Sequence, residues 1–281
     1  MEFWLNEKHS EGYSVNWKFT ETIHTEQTSY QHLAVINTMD FGKALVLDGL
    51  VQTTEKDEFI YHEMIVHPIL MSHPNPQKVL VIGGGDGGSI REVVKYASVQ
   101  QADLIEIDEN VILACRKYLP EISCSLTDKR VRLFIEDGLD FVKRKKDYYD
   151  IVIVDSSDPI GPAEGLYTQE FYTDVHQALK PDGILVAQTG SPLFNKELLT
   201  AATSRISKLF PITETYLTAI PTYTGGFWTF TLGSKKYDPA QAKPGKRLLK
   251  TMNLKYYNED IHKACFALPN FVREVLGSGA E

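Results

Sequence analysis

The spacing of apolar residues divides the chain into two parts. Between residues 1 and 56 the apolar runs are short, as at 32–36 and 44–47, and turn residues follow them at 40–42 and 48–49. Short runs bounded by Asp and Gly predict antiparallel strands. Because so small a sheet leaves open edges and an uncovered face, we expect residues 1–56 to form an N-terminal β domain that takes part in contacts between subunits.

From residue 57 to 281 the pattern is an alternation of helices and strands. Residues 57–71 predict a helix that Pro68 ends or kinks. The apolar runs that then predict buried strands are 79–82, 104–108, 131–135, 151–154 and 184–187. Near-continuous β-branched runs separated by amphipathic stretches indicate a parallel sheet that helices cover on both faces. Two later runs, near 212–220 and 227–233, lie close together and predict an antiparallel hairpin that closes the sheet.

Composition and charge disfavour several classes of protein. The 281 residues include 37 acidic and 29 basic ones, and the net charge of −8 disfavours a nucleic-acid partner. The sequence has no apolar run long enough to cross a membrane and no visible secretory signal. Its three cysteines form no CxxC pair, which indicates reduced thiols. We therefore expect a cytoplasmic protein without a membrane partner, and we see no cluster of metal-ligating residues.

A glycine-rich turn, GGGDGG at 83–88, follows the predicted strand 79–82 and precedes a predicted helix. Gly83 and Gly85 allow a sharp turn and a close approach to a ligand, and the helix start offers free N–H groups. The pattern also fits a tight strand-to-helix turn without any ligand. Asp86 inside the turn would repel a pyrophosphate and attract a cation, such as the amine of an aminopropyl chain.

Acidic residues after the next two strands indicate an adenosyl ligand. Glu106 ends one strand, where doubly wound folds place a carboxylate on ribose hydroxyls. Asp137 and Gly138 follow the next strand and are placed to meet an adenine edge. Glu106 also fits a solvated acid at a strand end, and Asp137 fits a helix N-cap. These residues do not separate NAD from an adenosyl-sulfonium compound, whereas Asp86 favours a donor without a carboxylate over S-adenosylmethionine.

The strand at 151–154 is followed by a second acidic segment, Asp155-Ser156-Ser157-Asp158. An amine nucleophile is protonated at neutral pH and must lose a proton before it attacks carbon. A buried carboxylate can bind the ammonium and accept that proton if desolvation raises its pKa, while a second carboxylate orients the diamine. The alternative is a turn with Asx caps. Because the segment follows the glycine turn and Glu106 in this order, we favour the catalytic interpretation.

Taken together, these motifs resemble the spermidine synthase family, of bacterial type, over nearly the whole chain. The matching stretches are TEQTSYQHLAV, LVLDGLVQTTEKDEFIYHEM, HPNPQKVLVIGGGDGGSIREVVK, EID, DSSDPIGPAE, IPTYTGGFWTFTLGSKKYDP and KYYNEDIHKACFALPNFV. The resemblance implies a Rossmann-like, methyltransferase-type catalytic domain at 57–281. It also implies that the β domain at 1–56 serves oligomerisation, in a homodimer or a homotetramer.

The resemblance implies roles for individual residues. Asp155 matches the proton acceptor, with Asp158 and Tyr61 beside it. The residues matched to donor binding are Gln31, Gly83, Gly85, Asp86, Glu106, Asp137, Gly138 and Pro162. The residues matched to polyamine binding are His62, Asp86, Asp155, Ser156, Ser157, Asp158, Gln188 and Tyr223. His62 also fits a buried helix histidine bonded to a backbone group, and the two tyrosines fit aromatic packing. Residues 156–168 resemble the mobile gate of the family.

The reaction that the resemblance implies is transfer of an aminopropyl group from decarboxylated S-adenosylmethionine to putrescine, which gives spermidine and 5'-methylthioadenosine. No cofactor and no metal are expected, since the sulfonium already activates the carbon. Cadaverine or agmatine are alternative acceptors. An S-adenosylmethionine-dependent methyltransferase on the same fold is a less favoured alternative, because Asp86 and the paired acids argue against it. A non-catalytic polyamine-binding or assembly protein is the third possible function.

Overall fold

The computed structural model describes residues 2–158 and 161–277; the side chains at 161–162 and 246–248 are not described. The N-terminal part is an antiparallel sheet whose strands neighbour one another in chain order. Its strands are β1 (Phe3–Ser10), β2 (Tyr13–Gln27), β3 (His32–Thr38), β4 (Lys43–Leu47) and β5 (Leu50–Thr54). Asp48 and Gly49 both have positive φ angles, of 48° and 82°, and form the tight turn between β4 and β5.

The main sheet follows, with helices on both of its faces. Its strands are β6 (Lys78–Gly83), β7 (Gln101–Glu106), β8 (Val131–Ile135), β9 (Tyr149–Asp155), β10 (Leu179–Gln188), β11 (Ile212–Ala219) and β12 (Phe227–Ser234). Its helices are α1 (Glu58–Leu70), α2 (Gly88–Val93), α3 (Glu109–Tyr118), α4 (Pro120–Ser123), α5 (Gly138–Lys143), α6 (Gln169–Ala178), α7 (Lys196–Ser207), α8 (Lys246–Thr251), α9 (Glu259–Ala264) and α10 (Asn270–Gly277). Short 3-10 turns lie at Cys124–Thr127, Gly161–Tyr167 and Pro239–Gln241.

The strand order of the main sheet places a crevice beside β6. The order is β11-β12-β10-β9-β6-β7-β8, in which β8, β7, β6, β9 and β10 run parallel, whereas β12 is antiparallel to both of its neighbours. The chain winds from β6 to one side through β7 and returns to the other side at β9. Ligands bind where the winding of an open α/β sheet reverses in this way. The predicted parallel sheet with a closing hairpin is therefore observed.

The two sheets are joined by apolar packing and by polar contacts. Leu33 and Val35 of β3 pack against Val111 and Cys115 of α3, which cover one face of the N-terminal sheet. At the start of β1, by contrast, Trp4 is 53% exposed. The N-terminal sheet was expected to have little core of its own, and the main part of the chain covers one of its faces.

Two helices end differently from the sequence expectation. Pro68 lies inside α1, which continues to Leu70. A proline cannot donate to the carbonyl four residues earlier, and here that carbonyl, of Met64, accepts the Tyr216 hydroxyl at 2.8 Å instead. Helix α2 ends at Val93, although the helical pattern after the glycine turn, SIREVVKYA, continues to residue 97. In the described ranges, none of the helices is long and apolar enough to cross a lipid bilayer.

Candidate active site

The carboxyl ends of β6 and β9 lie side by side at the crevice, with Gly83 paired to Asp155. The next residue, Gly84, lies so close to Asp155 that it leaves no room for a side chain. Gly84 has a φ of 67°, and a Cβ added there would lie 2.6 Å from Oδ2 of Asp155. A glycine at position 84 is therefore required by the approach of the turn to this carboxylate, whether or not a ligand is bound.

Asp155 is held by two hydroxyl groups from different helices. The Tyr61 hydroxyl of α1 donates to Oδ1 at 2.6 Å, and the Ser89 hydroxyl of α2 donates to Oδ2 at 2.6 Å. Burial raises the pKa of Asp155, and the charge of Asp86 raises it further, while His62 and the two hydroxyls oppose the rise. The result is a desolvated carboxylate that is more basic than a free aspartate, as a proton acceptor requires.

His62 forms ion pairs with two carboxylates. Its Nδ1 lies 2.6 Å from Oε2 of Glu58, and its Nε2 lies 3.3 Å from Oδ2 of Asp86. Burial works against the charged ring, but Asp86 and Glu58 outweigh it and raise the pKa of His62 well above its usual value. Arg91 in turn donates to both oxygens of Glu58, at 2.9 and 2.8 Å. His62 is thus a buried imidazolium, and its described partners are carboxylates rather than the backbone group that one interpretation expected.

Asp86 stays ionised in the same network. Burial raises its pKa, but His62 and the N–H of Gly88, which donates to Oδ1 at 2.8 Å, bring it below the usual value. Because Asp155 is buried and Asp86 is largely shielded from solvent, and both are acids, the single charge of His62 offsets only part of theirs. The site therefore favours a cationic ligand.

A second polar group lies around Asp158 and Gln188. Gln188 donates to the carbonyl of Ser156 at 3.0 Å and to the Tyr167 hydroxyl at 2.7 Å. Asn195 donates to Oδ2 of Asp158 at 3.4 Å. Burial raises the pKa of Asp158, and its bonds with Gln188 and Asn195 oppose this. This group comes from the ends of β9 and β10 and the loop before α7, so it lies at the same edge of the sheet as Asp155.

Tyr223 connects the two groups and the N-terminal sheet. Its ring lies 5.6 Å from that of Tyr61, and its hydroxyl donates to the carbonyl of Gln52 at 2.8 Å. Burial raises its pKa well above the usual value, and nearby carboxylates raise it further. Those carboxylates belong to Asp155, Asp86, Asp57 and Asp158. The aromatic packing of Tyr61 and Tyr223 is therefore observed, beside several carboxylates, while their role in a polyamine pocket stays a prediction.

Glu106 and Gln31 lie on the other side of the glycine turn and are linked through Asp108. Gln31 donates to Oδ2 of Asp108 at 3.0 Å, and the backbone N–H of Asp108 donates to Glu106 at 3.0 Å. A Cβ on Gly85 would lie 2.8 Å from Oε2 of Glu106. Burial raises the pKa of Glu106 to about 7. These residues form an acidic wall with hydrogen-bond acceptors, as a ribose would need.

The remaining predicted residues have fewer described contacts. Asp137 caps α5 and accepts the N–H of Leu139 at 2.8 Å, so the capping interpretation holds for it. Gly138 faces Ile82, which would lie 2.5 Å from an added Cβ. Ser157 is exposed. The side chain of Pro162 lies outside the described residues, as do positions 159–160 of the predicted gate.

Three potential metal ligands lie together at the amino-terminal ends of the strands, opposite the crevice. Oxygen or nitrogen atoms of His73, Asp150 and Asp182 lie within 4.8 Å of one another. Sequence inspection did not find this group, because its members are far apart along the chain. Lys180 already lies 2.8 Å from Oδ1 of Asp150, and the N–H of Asn75 points at Nδ1 of His73 from 3.3 Å. Both contacts oppose a bound cation, since one places a positive charge there and the other favours the tautomer with a proton on Nε2.

Two family models together match most of the chain. The spermine/spermidine synthase domain matches residues 58–243, and the spermidine synthase tetramerisation domain matches residues 3–55. The chain belongs to the spermine/spermidine synthase family. The first match contains the glycine turn and both acidic segments, and the second contains the five strands of the N-terminal sheet.

Individual members of the spermine/spermidine synthase family are similar over nearly their whole length. The polyamine aminopropyltransferase of Caldicellulosiruptor saccharolyticus is 52% identical over 98% of this chain and 99% of that protein. The corresponding protein of Desulforudis audaxviator is 49% identical over 98% and 99%. A crystal structure of spermidine synthase with the transition-state analogue AdoDATO superposes with a TM-score of 0.95, at 43% identity over 98% of this chain and 95% of that one. Spermidine synthase from Thermotoga maritima gives 0.92 at 42% identity, over 98% and 94%.

These similarities confirm the predicted family, fold class and enzyme class, an aminopropyltransferase. The roles assigned to individual residues of this spermine/spermidine synthase family member stay predictions. Sequence inspection missed Ser89, Glu58 and Arg91, although the spacing of Glu58 and His62, one helical turn apart, was a visible signal for their pairing. It also missed Tyr167 and Asn195, for which no local signal exists.

Proposed function

We propose that the chain transfers the aminopropyl group of decarboxylated S-adenosylmethionine to putrescine and releases spermidine and 5'-methylthioadenosine. The observation that carries the proposal is the buried carboxylate of Asp155, held at 2.6 Å by both Tyr61 and Ser89 near a second, partly buried acid, Asp86. A desolvated base next to a cation-attracting wall suits an amine that must be bound charged and react neutral.

The chemical step is a displacement at carbon. The lone pair of the diamine nitrogen forms a bond to the aminopropyl carbon next to sulfur, and the carbon–sulfur bond breaks. The bonding pair stays on sulfur, so the sulfonium becomes a neutral thioether. Before the attack, the ammonium of the diamine gives a proton to Asp155, which frees the lone pair on nitrogen. The protein therefore supplies alignment and a base, because the sulfonium is already a good leaving group.

Donor recognition divides between the two sides of the glycine turn. Glu106 would accept hydrogen bonds from the ribose hydroxyls, and Gln31 is linked to it through Asp108. Asp86, kept ionised by His62, would bind the amine of the aminopropyl chain. S-adenosylmethionine carries a carboxylate close to that amine, and Asp86 would repel it. This supports the decarboxylated donor over S-adenosylmethionine.

Acceptor recognition rests on the negative region that Tyr223 borders. Asp155 would take the reacting amine, and Asp158, with Gln188 beside it, would bind the other end of the diamine. Putrescine has an amine at each end, so each of the two acids would pair with one of them. Cadaverine and agmatine stay alternatives, because one methylene changes binding by only about 1–3 kcal/mol.

The N-terminal sheet supports assembly into a homodimer or a homotetramer. We infer that residues 1–56 form the oligomerisation domain and that residues 57–281 form the catalytic domain. The tetramerisation-domain match and the exposed Trp4 on β1 support this division. The three cysteines are free, which suits the reducing cytoplasm.

In the test, purified enzyme is assayed with decarboxylated S-adenosylmethionine or S-adenosylmethionine as donor and with a panel of diamines as acceptors. Decarboxylated donor with putrescine should give methylthioadenosine and spermidine with the highest kcat/KM of the panel. Asp155→Asn should lower kcat by about 10²–10⁴-fold with little change in donor affinity, and high pH should partly restore the rate. Asp182→Asn, at the opposite edge of the sheet, is the matched control. Release of S-adenosylhomocysteine would instead identify a methyltransferase, and near-parental kcat in Asp155→Asn would move the base elsewhere.

A further inference from the structure

Ser89 is a fully buried residue that none of the sequence motifs singled out. It is the second residue of α2, directly after the glycine turn, and its hydroxyl donates to Oδ2 of Asp155 at 2.6 Å. We propose that Ser89 is a positioning residue for catalysis. It fixes the oxygen of Asp155 that lies beside the glycine turn and so leaves the other oxygen to take the proton. The proposal rests on the role of Asp155 as base.

The two oxygens of Asp155 lie in different surroundings. Oδ2 is enclosed by the Ser89 hydroxyl and by Gly84, where no side chain would fit. Oδ1 receives the Tyr61 hydroxyl, and the ring of Tyr61 packs against Tyr223 at 5.6 Å. Since Tyr223 borders the acidic region, Oδ1 faces the side where a diamine would bind. Ser89 therefore holds the oxygen that lies beside the glycine turn, whereas Tyr61 holds the oxygen on the Tyr223 side.

A hydroxyl suits this position better than a charged donor. Burial and the charge of Asp86 both disfavour an ionised Asp155, and the Ser89 hydrogen bond is one of the contacts that oppose them. A lysine or arginine would stabilise the carboxylate so strongly that it would be a poor base. A neutral donor keeps the carboxylate ionised before the reaction and still allows it to accept a proton.

The expected effect of Ser89→Ala is a loss of kcat of about 10- to 100-fold, the size of one lost hydrogen bond to a charged group. Without that bond the pKa of Asp155 rises, so the acidic limb of the kcat profile should move to higher pH. Ser89→Thr keeps the hydroxyl and should restore both kcat and the parental position of the acidic limb. Donor affinity, measured by calorimetry with methylthioadenosine, should stay at the parental value.

Three further variants separate this role from a merely structural one. Ser234→Ala removes a buried hydroxyl at the far end of β12 and should leave the profile unchanged. Ser89→Cys keeps the shape of serine with a somewhat larger atom and is a weaker donor, so its kcat should lie between parent and alanine even if the alanine variant folds poorly. In an Asp155→Asn background, Ser89→Ala should cause no further loss, because the group it positions is gone.

The outcomes distinguish the two proposals. If Asp155→Asn is inactive while Ser89→Ala and Ser89→Cys keep parental kcat and an unmoved acidic limb, the role of Ser89 is wrong and that of Asp155 stands. An equal loss from Ser89→Ala with and without Asp155 would also reject positioning through Asp155. If Asp155→Asn alone retains kcat, the proposed base is wrong, and the inference on Ser89 ends with it.

Discussion

Glu106 offers a prediction about stability and binding together. Its carboxylate is buried at the end of β7, next to Asp108, and burial raises its pKa from 4.5 to about 7. A folded protein that holds a proton more tightly than the unfolded chain loses stability as the pH rises between those two values. At 1.36 kcal/mol per pH unit the loss is about 3 kcal/mol, complete above pH 7. Above pH 7 the ligand-free protein thus keeps Glu106 ionised, and this lowers its free energy of unfolding.

The perturbation is Glu106→Gln, measured by urea unfolding of ligand-free protein between pH 4.5 and 8. The amide that replaces the carboxylate cannot titrate, so the free energy of unfolding of the variant minus that of the parent should rise by about 3 kcal/mol over this range. Only the change of this difference with pH is interpreted. Hydrogen bonds lost in the variant lower its free energy of unfolding equally at every pH, so they do not affect that change. Glu109→Gln, an exposed change on α3, controls for removal of one negative charge.

The same variant should lose donor affinity. An ionised Glu106 is the better acceptor for ribose hydroxyls, so binding of methylthioadenosine to the parent should weaken below pH 7, by up to tenfold for each pH unit. Binding to Glu106→Gln should be weaker by about 10- to 100-fold at pH 8 and nearly independent of pH. A stability difference that stays flat from pH 4.5 to 8 would refute the raised pKa, and unchanged donor affinity at pH 8 would remove Glu106 from the ribose.

Two more predictions concern the donor chain and the assembly. Asp86→Asn should weaken binding of the decarboxylated donor by about 10- to 100-fold and narrow its advantage over S-adenosylmethionine, and an unchanged ratio of the two affinities by calorimetry would contradict this. Trp4→Glu should weaken the oligomer by placing a charge on an exposed apolar position of β1, as light scattering at micromolar concentration would measure. A parental protein that scatters as a monomer would count against the assembly.

Much of the fold could be predicted because its signals are local. The runs that became β6 and β9 are continuous and β-branched, as strands buried on both faces must be, and the glycine turn after β6 marks the start of α2. Acids that directly follow parallel strands must lie at one edge of the sheet, so Glu106 and Asp155 could be placed near each other from sequence. The family resemblance rested in part on these segments.

The partners and charge states of the site were decided by tertiary structure. Asp155 is bound by Tyr61 and Ser89, which lie 94 and 66 positions away along the chain. They meet because the winding reverses between β6 and β9, which brings α1, α2 and the end of β9 to one point. The charge of His62 depends on Glu58, one helical turn away in sequence, and on Asp86, which only the tertiary structure brings to its second nitrogen. A sequence specifies which groups can ionise, but their pKa values depend on burial and on neighbours that only the folded chain supplies.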